Sequence, residues 1–495
     1  MRRIQLACCV AALSSAAVLA APAKQRCPRL LAALGHQLAD ATCFESTDLT
    51  TNNPVTTPAD NSNPNLPAGA FTPATDRTVI APDLDHKTPI TMVVPGVQLQ
   101  ARIASDPTGQ GRFLLRLPDH WNGRLVVAGA SGTRSEFNGD FAWSDYVVQQ
   151  GYAYASQNKG VLNLFVPALV PRAPDPQIDC RLNPSSLVFV HFFDDDAGQP
   201  FTRWASFMAQ AAVLARRGVE SHYGHEARRT YAVGTSNGGY QVRRAVEMFP
   251  TLFDGGVDWE GTYVDAGAPN LLTDLPPAIL NFPDYVSSGQ DAKSTAAKNI
   301  LAAGYPPDIT LPAPALSLWG RYNVQFWEVT QCQWQKRLDP SYDTYGSGTG
   351  TYNYIARLSA SDVGANMAAF ATTGRIRRPL ITVAGTMDGL LPIDHHARAY
   401  ARKVAEAQAA SDDDGEDAKP AYRLYEVQNG NHIETFKVTF PQLELIEPHA
   451  QRAFDLLVDS VEHRAALPPS QCIPRGGAIN ASPAQPGHCS SLFVP

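Results

Sequence analysis

The stretch R-T-Y-A-V-G-T-S-N-G-G at residues 229–239 runs from a strand-like segment into a serine flanked by glycines. Residues 229–233 are rich in β-branched and aromatic side chains, and residues 240–248 are compatible with a helix. A serine on a tight turn between a strand and a helix is held on a strained, exposed elbow. Glycines 234 and 238 let the backbone approach closely on both sides. The stretch predicts a nucleophilic Ser236, and the alternative is a glycine-rich loop without chemistry.

Strand-like and helix-like segments alternate around this elbow. The predicted strands are residues 97–105, 112–117, 125–128, 152–156, 230–233, 255–259, 380–384 and 422–427. The predicted helices are residues 141–150, 201–217, 240–248, 394–408 and 448–464. Two antiparallel strands come first, and the elbow follows the third strand of a parallel series. This order predicts an α/β protein with a mainly parallel sheet and helices on both faces.

One long segment, residues 262–375, breaks the alternation with proline-rich pieces and many aromatic residues. It contains Trp319, Trp327 and Trp334. We interpret it as a large inserted lid domain above the carboxyl edge of the sheet, where ligand sites form. The three tryptophans are then expected to bind substrate, unless they only form the core of the insertion.

Composition divides the chain into six predicted segments. They are a signal peptide (1–20), an N-terminal extension or linker (21–84), the first part of a catalytic domain (85–261), the lid insertion (262–375), the second catalytic part (376–465) and a disulfide-tied tail (466–495). Arg2, Arg3 and the apolar residues 6–20 are typical of a secretory signal. No later apolar run predicts membrane insertion, so we expect a secreted or periplasmic protein.

Six cysteines remain after removal of the signal, and an even number in an exported chain predicts disulfides. Short loops favour Cys27–Cys43 and Cys472–Cys489, which leaves Cys180 with Cys332, although fifteen pairings are possible. No C-x-x-C spacing indicates zinc, and no metal site is predicted. The run of aspartates at 194–196 favours a charged loop, with a calcium site as the alternative. Residues 411–418 predict a solvated acidic loop.

A net charge of −7 over 495 residues is mild and does not favour nucleic acid as a partner. The sequence leaves the oligomeric state open.

A serine hydroxyl needs a base, and the base needs an orienting acid. Residues 379–388, P-L-I-T-V-A-G-T-M-D, form an apolar strand that ends in a turn at Asp388. The next strand runs into N-G-N-H, which ends at His432. We predict Ser236, Asp388 and His432 as nucleophile, acid and base.

Other residues are weaker alternatives. Glu260 and Asp265 follow the strand after the elbow and are the second choice for the acid. His395 and His396 are close to Asp388 in sequence but are expected to lie in the following helix and to face solvent.

Backbone N–H groups near the nucleophile are expected to stabilise an oxyanion. The first donor should be the N–H of Asn237. The second should come from the loop at residues 129–132, with Ala130 or Ser131 favoured.

The elbow, the P-L-I-T-V-A-G-T-M-D strand and N-G-N-H together resemble the α/β-hydrolase superfamily over residues 90–465. The export signal, the insertion and F-P-T-L-F-D-G at 249–255 resemble the tannase and feruloyl-esterase branch. That branch commonly bonds a cysteine before the serine to one after the histidine, whereas this chain has Thr235 and Ile433 there. This departure counts against a gallate- or ferulate-type substrate. The S-N-G-G elbow also resembles extracellular hydroxybutyrate-oligomer hydrolases.

These observations predict a secreted serine carboxylic-ester hydrolase without a cofactor. Its substrate would be a small-molecule aromatic ester or a polyester oligomer, and which ester is cleaved stays open. A serine peptidase of the same fold and a non-catalytic binding protein on a hydrolase scaffold are the alternatives.

Overall fold

The structure is a computed structural model that describes residues 25–56, 88–132, 135–137, 139–162, 164–165, 173–176, 178–191, 201–312, 316–342, 352–411 and 420–495. The predicted signal peptide, the aspartates at 194–196 and nearly all of the acidic loop at 411–418 lie outside these residues. Much of the predicted N-terminal extension, residues 57–84, also lies outside them.

A ten-stranded sheet organises the described chain. Its strands are β1 (Leu38–Ser46), β2 (Gly96–Ile103), β3 (Arg112–Pro118), β4 (Arg124–Gly129), β5 (Ala153–Gln157), β9 (Arg229–Thr235), β10 (Gly255–Trp259), β11 (Leu380–Gly385), β12 (Tyr422–Val427) and β13 (Gln471–Ile473). A small antiparallel sheet contains β6 (Leu164–Phe165), β7 (Cys180–Arg181) and β8 (Phe189–Val190).

The order in the large sheet is β1-β2-β3-β5-β4-β9-β10-β11-β12-β13. The strands β1, β2, β3 and β5 pair antiparallel, and every pairing from β5 to β13 is parallel. The eight strands from β2 to β12, with β5 and β4 exchanged, have the order of the α/β-hydrolase fold. The predicted fold class is therefore confirmed by the connectivity itself.

Helices cover both faces of this sheet. They are α1 (Arg26–Leu34), α2 (Asp145–Val148), α3 (Arg203–Tyr223), α4 (Asn237–Met248), α11 (Ala397–Ser411) and α12 (Glu447–His463). Leu125 and Val127 of β4 pack in the cluster that contains residues of α1, α3, α4 and α11. Val126 and Ala128 pack in the opposite cluster with residues of α2 and α12. Alternate side chains of one strand thus serve two helical layers, as the period of a β-strand requires.

The segment between β10 and β11 is helical where it is described. It contains α5 (Leu271–Ser287), α6 (Thr295–Ala302), α7 (Leu318–Tyr322), α8 (Glu328–Leu338), α9 (Tyr354–Arg357) and α10 (Val363–Ala368). A separate hydrophobic cluster joins these helices to the small sheet.

Both ends of the chain add strands to the large sheet. Residues 26–46, predicted to belong to an extension, form α1 and β1, and β1 pairs antiparallel with β2. The tail contributes β13 beside β12. The first part of the extension is therefore a component of the sheet, in contrast to the prediction.

The three predicted disulfides are present: Cys27–Cys43, Cys180–Cys332 and Cys472–Cys489. The second of them connects β7 to α8. Among the helices of the described chain, none combines the length and the apolar character that crossing a membrane requires.

Candidate active site

Ser236 lies at the carboxyl end of β9, immediately before α4. Its φ of 58° and ψ of −123° lie in a region that residues with a Cβ rarely adopt. A Cβ on Gly234 would lie 2.4 Å from the carbonyl oxygen of Gly238, so only glycine fits there. The predicted elbow geometry is therefore what this backbone adopts.

Asp388 and His432 are joined directly. The Nδ1 atom of His432 lies 2.8 Å from Oδ2 of Asp388. The other carboxylate oxygen, Oδ1, accepts N–H bonds of 2.7 Å each from Leu390 and Leu391. These two donors orient the carboxylate, and an ionised Asp388 in turn holds the imidazole with its proton on Nδ1.

Ser236 shares the carboxyl edge of the sheet with this pair, because β9, β10, β11 and β12 are consecutive parallel strands. The Ser236 N–H donates to the carbonyl of Trp259 at the end of β10. Within the part of the chain that the structure describes, no hydrogen bond joins the Ser236 hydroxyl to His432. Catalytic contacts of this kind often tighten only when substrate binds.

Glu260, the second choice for the acid, lies beside the same imidazole. Its Oε2 atom is 3.4 Å from Nδ1 of His432, and its Oε1 atom accepts the Gly385 N–H at 3.0 Å. Burial, followed by the nearby charge of Asp388, raises the pKa of Glu260 well above its ordinary value. The sequence placed Glu260 after β10 but could not show that two carboxyl groups face one histidine.

Among the described residues, one group of three side chains could offer ligand atoms to a metal ion. It consists of Glu260, Asp388 and His432, whose ligand atoms lie within 4.8 Å of one another. The direct hydrogen bond between Asp388 and His432 explains this proximity, and we assign no metal here.

The remaining alternatives lie elsewhere. Asp265 forms an ion pair with Lys403 at 2.9 Å and does not contact His432. His395 and His396 precede α11 and both face Asp274 of α5, at 2.9 and 3.5 Å. His396 is only 2% exposed, so the expectation that it faces solvent is wrong.

The loop after β4 is hydrogen bonded to two buried side chains, Gln241 and Lys159. The N–H of Ala130 donates to Oε1 of Gln241 at 2.8 Å, so this N–H is engaged away from an oxyanion. Of the two residues favoured in this loop, Ser131 is the one we retain, together with Asn237, the first residue of α4. The Lys159 ammonium donates to the carbonyls of Ala130, Ser131 and Gly132.

The three tryptophans are core residues of the insertion. Trp319, Trp327 and Trp334 are each at most 1% exposed. The prediction that they contact substrate is not supported by these positions, because packing among aromatic neighbours covers their rings.

Two residues of the insertion reach the loops that carry the acid and the histidine. The indole N–H of Trp327 donates to the carbonyl of Gly389 at 2.7 Å. The Tyr322 hydroxyl donates to Oδ1 of Asn431, also at 2.7 Å. Sequence reasoning missed both contacts, because they join segments that are distant in the chain.

The strand order and the positions of Ser236, Asp388 and His432 after β9, β11 and β12 define the class: an α/β hydrolase fold with the serine, acid and histidine in the usual chain order. Residues 343–490 match the family model of the 3HB-oligomer hydrolases. This match includes Asp388 and His432 but not Ser236.

A D-(-)-3-hydroxybutyrate oligomer hydrolase from Burkholderia thailandensis is 34% identical over 130 residues, which are 25% of this chain and 17% of that protein. The corresponding protein from Burkholderia ambifaria is also 34% identical over 130 residues, or 18% of its length. The chain therefore matches less than a fifth of each of these relatives.

Solved structures similar to this chain include feruloyl esterase B from Aspergillus oryzae, at 13% identity and a TM-score of 0.45, covering 87% of this chain and 88% of that one. The rice cell wall degrading esterase LipA from Xanthomonas oryzae is 11% identical with a TM-score of 0.43, covering 85% and 98%.

Proposed function

We propose that this protein is a serine carboxylic-ester hydrolase that acts through an acyl-enzyme. The observation that carries the proposal is the strained Ser236 elbow at the sheet edge where Asp388 and His432 are hydrogen bonded. A serine in such a strained backbone conformation destabilises the folded state, and residues with this kind of strain cluster at active sites.

The chemistry follows from these positions. Ser236 Oγ attacks the ester carbonyl while Nε2 of His432 takes its proton, and Asp388 stabilises the imidazolium through Nδ1. The N–H groups of Asn237 and Ser131 are the proposed oxyanion donors, each contributing about 3 kcal/mol. The imidazolium then protonates the leaving alcohol, and water releases the acid by the reverse steps.

We propose an oligoester as the substrate, with 3-hydroxybutyrate oligomers as the first choice. The similarity of residues 343–490 to hydrolases of these oligomers supports this choice. The absence of the tannase-type cysteines beside Ser236 and His432 counts against an aromatic acyl group. The predicted signal peptide and the three disulfides support action outside the cytoplasm.

Purified mature protein should be tested on 3-hydroxybutyrate trimer, methyl ferulate, p-nitrophenyl acetate and an aminoacyl p-nitroanilide. We expect hydrolysis of the trimer and the acetate, labelling of Ser236 by a fluorophosphonate, and loss of about 10⁶-fold in kcat for Ser236→Ala. Cleavage of the anilide alone would indicate a peptidase. A Ser236→Ala variant with unchanged turnover would refute the nucleophile, and a correctly folded protein inert to all substrates would favour a binding protein.

A further inference from the structure

The surroundings of His432 contain one more carboxyl group than a triad requires. Both Asp388 Oδ2, at 2.8 Å, and Glu260 Oε2, at 3.4 Å, lie next to the single atom Nδ1. Both side chains are almost completely buried, at 2% and 3% exposure. Two buried like charges this close are unfavourable, so the pair is expected to carry one negative charge between them.

The two carboxyl groups are supported differently. Asp388 Oδ1 accepts two backbone N–H bonds in addition to the imidazole contact. Glu260 accepts one N–H at Oε1, and its Oε2 atom makes no hydrogen bond with any described residue. The charge therefore belongs on Asp388, and Glu260 is the group that holds the proton.

The backbone at Glu260 shows that its position is costly. Its φ is +50°, in the left-handed region that is uncommon for residues with a Cβ. Its own N–H donates to the carbonyl of Val383 at 2.8 Å, which ties the residue to β11, the strand that leads to Asp388. The side chain is thereby directed at the imidazole from the end of β10.

We propose that Glu260 is a second acid of the triad. It is a positioning residue whose carboxylate accepts the hydrogen bond from His432 Nδ1–H whenever Asp388 is uncharged. This inference rests on the proposed function. An amide at position 388 on its own would favour the wrong imidazole tautomer, with Nδ1 as acceptor. A carboxylate at Glu260 would retain the productive tautomer, with the proton on Nδ1 and Nε2 available to Ser236.

The test is a double-mutant cycle of Asp388→Asn and Glu260→Gln, measured as kcat/KM on p-nitrophenyl acetate. We expect Asp388→Asn to lose about 10²-fold, against about 10⁴-fold for a triad with a single acid. Glu260→Gln should lose less than about tenfold, and the double variant about 10⁴-fold, far more than the product of the single losses.

A pH profile distinguishes positioning from a structural role. In Asp388→Asn the active form needs an ionised Glu260, so kcat/KM should rise with pH through an ionisation above the ordinary glutamate range. This rise of kcat/KM with pH should be absent in the double variant Asp388→Asn/Glu260→Gln. The titratable groups that influence Glu260 are Asp388, His432, Glu434 and Tyr322.

Glu434 supplies the matched control, because burial raises its pKa to about 7 and it lies two residues after His432. Its Oε1 atom accepts the N–H groups of Ile446 and Glu447 rather than facing the imidazole. The double variant Asp388→Asn/Glu434→Gln should therefore still show the rise of kcat/KM with pH. If Asp388→Asn fails to fold, Asp388→Ser provides a second way to remove the charge.

The outcomes separate the two proposals. A wild-type protein that neither hydrolyses esters nor labels at Ser236 refutes the proposed function. If the wild type is active but Asp388→Asn loses about 10⁴-fold with no rise of kcat/KM with pH, only the second acid is refuted. A larger loss in Glu260→Gln than in Asp388→Asn would also overturn it, since Glu260 would then be the principal acid.

Discussion

Ser236, the proposed nucleophile, has a strained backbone conformation. The hydroxyl projects from the elbow because the backbone adopts φ 58° and ψ −123°. Such conformations cost about 1–3 kcal/mol for a residue with a Cβ. Glycines at 234 and 238 make this turn possible, because a Cβ on Gly234 would clash with the backbone of Gly238 and a Cβ on Gly238 with that of Gly129.

Replacing Ser236 by glycine should therefore stabilise the protein while abolishing activity. Strain relief of about 1–3 kcal/mol outweighs the entropic cost of glycine, about 0.4–1 kcal/mol, for a net gain of about 1 kcal/mol. Urea unfolding should be compared with Ser236→Ala, which retains the Cβ and the strain. A glycine variant that is less stable than the alanine variant would show that this backbone is not strained.

Lys159 is the second residue whose position is costly. Burial lowers its pKa from 10.5 to about 7. Between these values the unfolded chain binds more protons than the folded one, so this residue makes stability rise with pH, by up to about 1.4 kcal/mol per pH unit. Below about pH 7 both states are protonated, and its contribution is constant.

Lys159→Met should remove this dependence. We expect the stability of the wild type relative to the variant to increase from pH 7 to pH 10, as measured by urea unfolding at several pH values. The variant should also lower kcat, because Lys159 holds the carbonyls of the loop at 130–132. A constant stability difference across this range would mean that the lysine titrates at its ordinary value.

Helices of the insertion bond to the loops that carry Asp388 and His432. Helix α7 and the π-helical turn Asn323–Trp327 carry Tyr322 and Trp327, which bond to Asn431 and Gly389. These partners are the neighbours of His432 and Asp388. The insertion therefore contacts the residues next to the proposed acid and histidine.

Trp327→Phe should lower kcat for bulky and small esters alike, by several-fold for the loss of a hydrogen bond worth about 1 kcal/mol. Trp319→Phe is the matched control, because its indole N–H bonds at 2.9 Å to the carbonyl of Pro306 within the insertion. Equal kcat for the two variants would show that the contact with Gly389 does not position Asp388. A loss confined to bulky esters would indicate substrate binding instead.

The disulfides differ in the parts of the chain that they connect. Cys27–Cys43 spans 16 residues, whereas Cys180–Cys332 spans 152 and joins the small sheet to the insertion. On the chain-entropy model these loops contribute about 3 and about 5 kcal/mol.

Removing Cys180–Cys332 with paired alanine substitutions should therefore cost more free energy of unfolding than removing Cys27–Cys43. Denaturant unfolding monitored by tryptophan fluorescence would measure this, because Trp334 lies in the same helix as Cys332. If the shorter bridge is worth more, closure entropy does not control the stability of this fold.

Most strands of the sheet and the elbow at Ser236 could be predicted from local patterns. Strand periodicity located β4, β5, β9, β10, β11 and β12 to within a residue or two. Turn residues after them marked Ser236, Asp388 and His432. Hydrophobic alternation and glycine placement act over a few residues, which is why they can be read without the fold.

Contacts between groups that are distant in the chain could not be predicted in this way. The fold brings Glu260 to His432 because β10 and β12 end at the same edge of the sheet. It also directs Ala130 to Gln241 of α4 and buries the three tryptophans in the core of the insertion. It also placed β1 beside β2, since an edge strand is selected by its neighbour rather than by its own pattern. Local sequence patterns do not predict such pairings, because the stabilising contacts form between segments that are far apart in the chain.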